Sequence, residues 1–273
     1  MKFIYDKREY AVTTWTLEHM PLREALDTFD RHGFKNIEIW ADTVHLDPRC
    51  EPDIRGTKRQ LLGLGMQVHS LHAPFRNYKN PPGEEKAFRR FRTDTIKKTM
   101  DYAYELGSRI LVMHAVDRKE YNYSEDQIPL VQDYVGEIAR YGAKNGIELA
   151  IEDIPPGTED DEIYTSLENQ RRLFADLGVR YCLDIGHVPL LGADLFREVE
   201  AAGSDLITFH IHNNYGVSDD HNLPDDGAID WPKLHDYIRD TGFKGEFVLE
   251  IYGGADREKE LDTLMRMDRL FQT

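Results

Sequence analysis

Six short apolar runs in this chain each end in an acid or an imidazole: LHAPF, LVMHA, LAIED, YCLDIGH, ITFHIHNN and FVLEIYG. The polar residues at those ends are His72, His114, Glu152, Asp184 with His187, His210 with His212, and Glu250. Buried carboxylates and imidazoles are costly unless they are paired or bound to metal. One such ending would mean little. A series of them, each preceded by a β-type run, predicts that one face of a parallel sheet gathers the whole set. A barrel enzyme builds a metal site in that way.

The runs alternate with helical stretches to the end of the chain. The predicted strands are 10–16, 36–41, 66–72, 109–114, 147–153, 179–184, 206–212 and 246–251. The predicted helices include 21–32, 84–106, 125–144 and 162–177. Gly33, Gly107, Gly146, Gly178 and Gly242 stand where helices commonly stop, and Pro21 stands at a helix start. A βα unit repeated about eight times, with no hairpin signal, predicts an α/β chain folded as a single (β/α)8 TIM barrel over 1–273. An open doubly wound sheet is the alternative. No GxGxxG follows the first strand, which removes the usual reason for choosing it.

Composition narrows the setting. Hydrophobic residues make up 40% and charged residues 31%, so the chain is globular rather than disordered. No apolar run reaches spanning length and the N-terminus lacks an export signal, so a cytoplasmic location without a membrane segment is expected. The two cysteines, Cys50 and Cys182, have no metal or redox spacing, which agrees with a reducing compartment. The formal net charge of -16 repels phosphate backbones and suits retention of divalent cations. Nucleic acid is therefore not expected as a partner.

Glu152, Asp184, His210 and Glu250 come from predicted strands five to eight, which are neighbours in a barrel. Three carboxylates and an imidazole make a hard O/N site suited to Mn2+, Mg2+ or Co2+, and acceptable to Zn2+. Salt-bridged strand ends are the ordinary alternative for any one of them, but few basic residues lie on those strands to pair all four. His72 and His114 extend the set, although a lone strand histidine is as often a satisfied core imidazole. His187 follows in DIGH, and Asp219 and His221 follow strand seven, where loop residues are often only solvated. His210 and His212 are two apart on a strand and share a face. Only one needs to be a ligand. The deeper one, His210, is assigned that place, leaving His212 to touch substrate nearer the mouth. Trp15, Trp40 and Phe75 could wall a small polar ligand or simply pack. The loop FRNYKNPPG, with Arg76, Tyr78 and Lys79, could act as a lid, a phosphate clamp or a wedge for nucleic acid, or could be merely solvated.

HAPF, IED, LDIGH, HIHNN followed by DDHNLPDDGAIDW, and LEI together resemble the xylose isomerase-like barrel superfamily, over essentially the whole chain. The resemblance is to the branch holding sugar-phosphate isomerases and epimerases and endonuclease IV. Its epimerase members imply one metal on Glu152, Asp184, His210 and Glu250, with the two glutamates moving a proton. Its endonuclease members imply three zinc ions, with His72, His114, His187, Asp219 and His221 as further ligands. The chain has Asn213 where an Asp is common. The favoured expectation is a metal-dependent sugar or sugar-phosphate isomerase/epimerase that transfers a proton through an enediolate. The alternative is a multinuclear zinc phosphoester hydrolase, an AP endonuclease or a phosphatase. A homo-oligomer is compatible with either.

Overall fold

Six of the strands share a three-residue pattern of small, large and polar: Ser70-Leu71-His72, Val112-Met113-His114, Ala150-Ile151-Glu152, Cys182-Leu183-Asp184, Thr208-Phe209-His210 and Val248-Leu249-Glu250. Strand side chains alternate between faces. The large middle residues therefore all turn one way and the small and polar ones the other. Leu71, Met113, Ile151, Leu183, Phe209 and Leu249 are each at most 2% exposed and belong to the main apolar core. Val112, Ala150 and Cys182 form a separate small cluster. Full burial of a Leu, Ile or Phe contributes about 1.5–3 kcal/mol, so the outward-facing column is a large part of what fixes each strand's orientation.

The computed structural model describes residues 6–42, 44–75, 85–116, 128–156 and 162–271. Eight parallel strands close into a barrel in chain order: β1 (Tyr10–Thr13), β2 (Asn36–Trp40), β3 (Gln67–His72), β4 (Ile110–His114), β5 (Glu148–Glu152), β6 (Arg180–Asp184), β7 (Leu206–Ile211) and β8 (Phe247–Leu249). The helices are α1 (Leu22–Arg31), α2 (Ile54–Leu64), α3 (Glu85–Leu106), α4 (Ile128–Asn145), α5 (Glu162–Thr165), α6 (Leu167–Phe174), α7 (His187–Leu190), α8 (Leu195–Ala202), α9 (Trp231–Asp240) and α10 (Arg257–Arg269). This is the (β/α)8 barrel that the alternation predicts. No described helix is long and apolar enough to cross a membrane.

Two boundaries differ from expectation for local reasons. Strand 10–16 stops at Thr13, whose hydroxyl accepts the Trp15 N–H and opens a 3-10 turn over Thr14–Leu17. The predicted helix 162–177 is broken at Ser166, which is extended and caps α6 by accepting the Asn169 N–H. A capping serine starts a new helix more readily than it continues an old one. Where helices do end as expected, Gly107 and Gly242 show why glycine is used. Their φ values of 93° and 90° lie where a Cβ is strained.

Register sets the polar ends side by side. His114 pairs with Glu152, Asp184 with His210, and Trp40 with His72. The regular pairing slips twice, between β2 and β3 at Ile37/Glu38, and between β6 and β7 at Tyr181/Cys182. Each slip inserts an extra residue in one strand, His69 and Ile207 respectively, and such bulges re-aim side chains.

Candidate metal centre

The barrel's C-terminal mouth collects every one of the predicted acids and imidazoles. Glu152, Asp184, His210 and Glu250 are at most 9% exposed. Each offers one ligand atom, and the four atoms lie within 4.8 Å of one another. His210 Nδ1 stands 2.8 Å from Glu152 Oε1 and 3.1 Å from Glu250 Oε2. Three overlapping groups surround this one under the same distance limit. They are His72, His114 and Glu152; Asp184, His212, His221 and Glu250; and His187, His212, Asp219 and His221. Glu152 Oε2 is 2.9 Å from His72 Nε2 and 3.1 Å from His114 Nε2. Asp219 Oδ2 is 3.5 Å from His187 Nε2 and 3.4 Å from His221 Nε2.

The histidines are held from behind. His72 Nδ1 reaches the Ala73 carbonyl at 2.8 Å, His187 Nδ1 the Asp153 carbonyl at 3.0 Å, and His221 Nδ1 the Glu250 carbonyl at 2.9 Å. In each case the other nitrogen, Nε2, points into the cluster. Outer partners of this kind fix the tautomer and orientation of metal-binding imidazoles. Asp153, which sequence reasoning passed over, accepts the Asp184 N–H at 2.8 Å and also faces His187 Nδ1 at 3.5 Å. Its signal lay in IED, where only one of two adjacent acids can face the barrel interior.

His212 behaves differently. Its Nε2 is 2.7 Å from Asp184 Oδ1, yet neither ring nitrogen completes a hydrogen bond, and Asp184 Oδ2 is likewise buried without one. The ring stacks on His221 at 3.9 Å between centroids. A Cβ at Gly186 would lie 1.9 Å from its Cε1, which explains the glycine of DIGH. The structure thus brings His212 among the ligand groups as well as His210.

The loop after β7 carries Asp219 and His221, and Asn213 organises it. Its amide donates to the carbonyls of Pro224 at 2.9 Å and Ile229 at 3.0 Å. Its Oδ1 accepts the N–H groups of Asn214 and Ile229. An aspartate could not make the two donations. Asn214 then ties the loop to the Gly186 carbonyl at 2.7 Å. His221 itself sits in the left-handed region at φ 49°, a backbone state that needs such support.

Aromatic rings edge the cluster. Trp15 meets His221 edge-on at 4.8 Å, and Phe75 lies 5.2 Å from His72 and 5.0 Å from His114. Trp40 is 1% exposed and packs behind Phe75 at 6.0 Å. Arg76, Tyr78 and Lys79 lie outside the described residues.

Burial alone would raise the Glu152 carboxyl, but the imidazoles of His210 and His114 outweigh it and hold the group well below the usual range. Glu250 is likewise lowered, against burial, chiefly by His210. Burial would lower His210, yet the surrounding Cys182, Glu152, Glu250 and Glu38 raise it well above an ordinary imidazole. His221 is raised to about 9 in the same way, against burial, by Asp219 and Glu250. Without a metal, protons on imidazoles balance the acids. No Lys or Arg among the described residues forms an ion pair with Glu152, Asp184, Asp219 or Glu250. The donor set therefore fits divalent cations, which would displace those protons.

Comparison with known proteins agrees with the geometry. Residues 26–269 match the family model described as xylose isomerase-like TIM barrel, and the chain belongs to that family. An uncharacterized protein, y4fM of Sinorhizobium fredii (strain NBRC 101917 / NGR234), is 27% identical over 82% of this chain and 78% of its own. Fructoselysine 3-epimerase of Escherichia coli O157:H7 is 23% identical over 92% of this chain and 93% of its own. The crystal structure of a D-tagatose 3-epimerase-like protein superposes with a TM-score of 0.76 at 20% identity, covering 99% of this chain and 98% of that one. At that identity the structural likeness is one of fold.

Proposed function

We propose that this member of the xylose isomerase-like barrel family is a divalent-metal-dependent isomerase or epimerase of a small sugar or sugar phosphate. The observation that carries the reading is the convergence of Glu152, Asp184, His210 and Glu250 within 4.8 Å, with no described Lys or Arg to neutralise them. The similarity to a fructoselysine 3-epimerase supports the same reaction class. Glu152, Asp184 and Glu250 would hold the cation with His210, while His212 falls in an adjoining group with Asp184, His221 and Glu250.

A bound dication would polarise a substrate carbonyl and so acidify the neighbouring C–H. The remaining steps belong to the chain. Glu152 ends β5 and Glu250 follows β8, with two strands between them, so the two carboxylates approach from different sides. Both are carboxylates at the barrel mouth, the residue type that takes up and returns a proton beside a carbonyl. One takes the proton from the carbon beside the carbonyl. The other, loaded with a proton from solvent, would deliver it to the opposite face or to the adjacent carbon, and the first would return its proton to solvent. Phe75 and Trp15 flank the site beside His72 and His221, where they would limit the access of water.

A second reading, a phosphoester hydrolase with up to three zinc ions, is favoured by one observation. His72, His114 and Glu152 on one side, and His187, His212, Asp219 and His221 on the other, form complete ligand groups. The chain's acidity counts against a DNA substrate.

The test is metal stoichiometry combined with isotope exchange. Exhaustive chelation should abolish activity on ketoses or their phosphates, and Mn2+, Co2+ or Mg2+ should restore it. In heavy water, solvent deuterium should enter the substrate carbon. Full activity in protein shown by elemental analysis to be metal-free would overturn the proposal. So would about three zinc ions per chain together with robust cleavage of abasic DNA or phosphate esters.

A further inference from the structure

Beneath the cluster lies a polar layer that the proposed reaction does not use. Glu38, in the middle of β2, is fully buried at 0% exposure inside the barrel. Its Oε2 accepts the Ser70 hydroxyl at 2.7 Å and faces His210 Nε2 at 3.3 Å, while Oε1 has no hydrogen-bond partner among the described residues. No described Lys or Arg pairs with it, and His210 is its ion-pair partner. A carboxylate so placed is among the most expensive groups a core can hold, and an apolar residue of similar size would cost far less. Its neighbours are arranged around it. The pairing slip at Ile37/Glu38 inserts His69 into β3, and this brings Ser70 opposite Glu38. His69 Nε2 reaches across the barrel to the Thr208 hydroxyl on β7 at 2.9 Å, one turn of the pleat below His210.

His210 is therefore gripped from two sides. Nε2 points down to Glu38, and Nδ1 points up between Glu152 Oε1 and Glu250 Oε2. We propose that Glu38 is a positioning residue. Its carboxylate accepts a hydrogen bond from Nε2 of His210 and so holds Nδ1 between the two glutamates, toward the place a divalent cation would take. The proposal rests on the metal-dependent reading above, and it adds a group outside the ligand set. The layout parallels the backbone carbonyls behind His72, His187 and His221, with one difference. Glu38 is a side-chain carboxyl group, whereas the others are backbone carbonyls.

The experiment compares Glu38→Leu, Glu38→Gln and Ser70→Ala with the unmodified protein, using Co2+ as probe. Cooperative unfolding and far-UV circular dichroism first establish that each variant is folded. Co2+ titration followed by its visible absorption then reads affinity and ligand geometry together. Loss of an outer partner of a metal-binding histidine typically lowers affinity by about 10–100-fold, and Glu38→Leu should fall in that range with a changed absorption envelope. Glu38→Gln keeps an acceptor oxygen and should recover part of the loss. Ser70→Ala should show a smaller loss of the same sign. Should Glu38→Leu fail to fold, the other two variants carry the comparison. Wild-type affinity and an unchanged spectrum in folded Glu38→Leu, or in both remaining variants, would overturn the assignment.

If the unmodified protein takes up no Co2+, the proposed function falls by itself. The positioning role is then read in metal-free protein from the Nε2 proton of His210 in histidine-labelled samples. A hydrogen-bonded, downfield Nε2 proton that moves in Glu38→Gln supports the role. A resonance unaltered by the substitution removes it.

Discussion

The inner and outer halves of the mouth are built from the same residue types on different supports. Glu152, Asp184 and His210 lie on strands, and Glu250 immediately follows one. Their backbones are locked by neighbours on both sides in a closed barrel. His187 starts a single-turn helix, and Asp219 and His221 ride on the loop after β7. That loop is joined to the barrel by the Asn213–Asn222 bridge, the Asn213 amide and the Asn214 contact to Gly186. The inner set is positioned by the fold itself. The outer set is positioned by a short backbone bridge and a few side-chain hydrogen bonds.

The largest effects should follow substitution of the inner set. Glu152→Gln should lower substrate–solvent deuterium exchange by a factor on the order of 10²–10⁴, the contribution of one general acid–base group. Glu250→Gln should fall in the same range without matching it. If each glutamate serves one face, one variant can still wash deuterium into unreacted substrate while failing to release product. Asp184→Asn should lose metal along with activity, since a neutral amide is a poorer ligand for a hard dication. By contrast, His187→Ala and His221→Ala should keep one equivalent of metal by elemental analysis. Loss of all metal in either outer variant would erase the distinction between the halves and favour the multinuclear hydrolase.

The same contrast explains what could be read in advance. Small-large-polar triplets such as Ala150-Ile151-Glu152 combine a period of two with a terminal charge, so strand, inward face and strand end are all visible in three letters. The barrel and its inner candidate ligands follow from such triplets. The pattern fails where its assumptions fail. Glu38 sits inside a strand instead of at its end, and its partner Ser70 faces it only because of a pairing slip that no periodicity announces. His210 and His212 share a face, so alternation cannot choose between them, and the structure brings both to the cluster. Helix 162–177 broke because Ser166 favours a cap over a helical interior. Asp219 and His221 were recognisable by type, but their placement depends on Asn213 and on a left-handed His221, neither of which repeats along the chain.

Asn213→Asp sharpens the comparison at the loop. It replaces two donors with oxygens facing the carbonyls of Pro224 and Ile229. Leaving buried polar groups unsatisfied costs about 1–3 kcal/mol each. The damage should fall on the loop, so any second or third metal equivalent should weaken while the inner one stays. Hydrogen exchange should show faster exchange of the Asn222 and Ile229 amides, with the strand amides unchanged. Equal loss of protection in β5 and β6 would show that the loop and barrel are one unit.

The smallest effect is a pH dependence of the metal-free protein, and its sign follows from the directions of the shifts. His221 is raised from 6.5 to about 9, against burial, by Asp219 and Glu250. His187 and His210 are raised as well, despite burial. An imidazole raised on folding adds stability that is fully present below its unfolded value and is lost as pH rises through the folded one. Glu152, Glu250 and Asp219 are lowered against burial by these same rings, so their contribution is present above the ordinary carboxylate value and is lost as pH falls. In chelator the melting temperature should therefore be highest between about 4.5 and 6.5 as far as this cluster is concerned, and should decline toward pH 9. Metal binding takes the place of the imidazole protons and releases them, so Mn2+ should remove the alkaline decline and stabilise more as pH rises. His221→Ala should take away the part of the decline that runs from 6.5 to about 9, leaving what the inner His210 contributes. A chelated protein whose melting temperature is flat from pH 6.5 to 9 would mean that protons do not hold the empty cluster together.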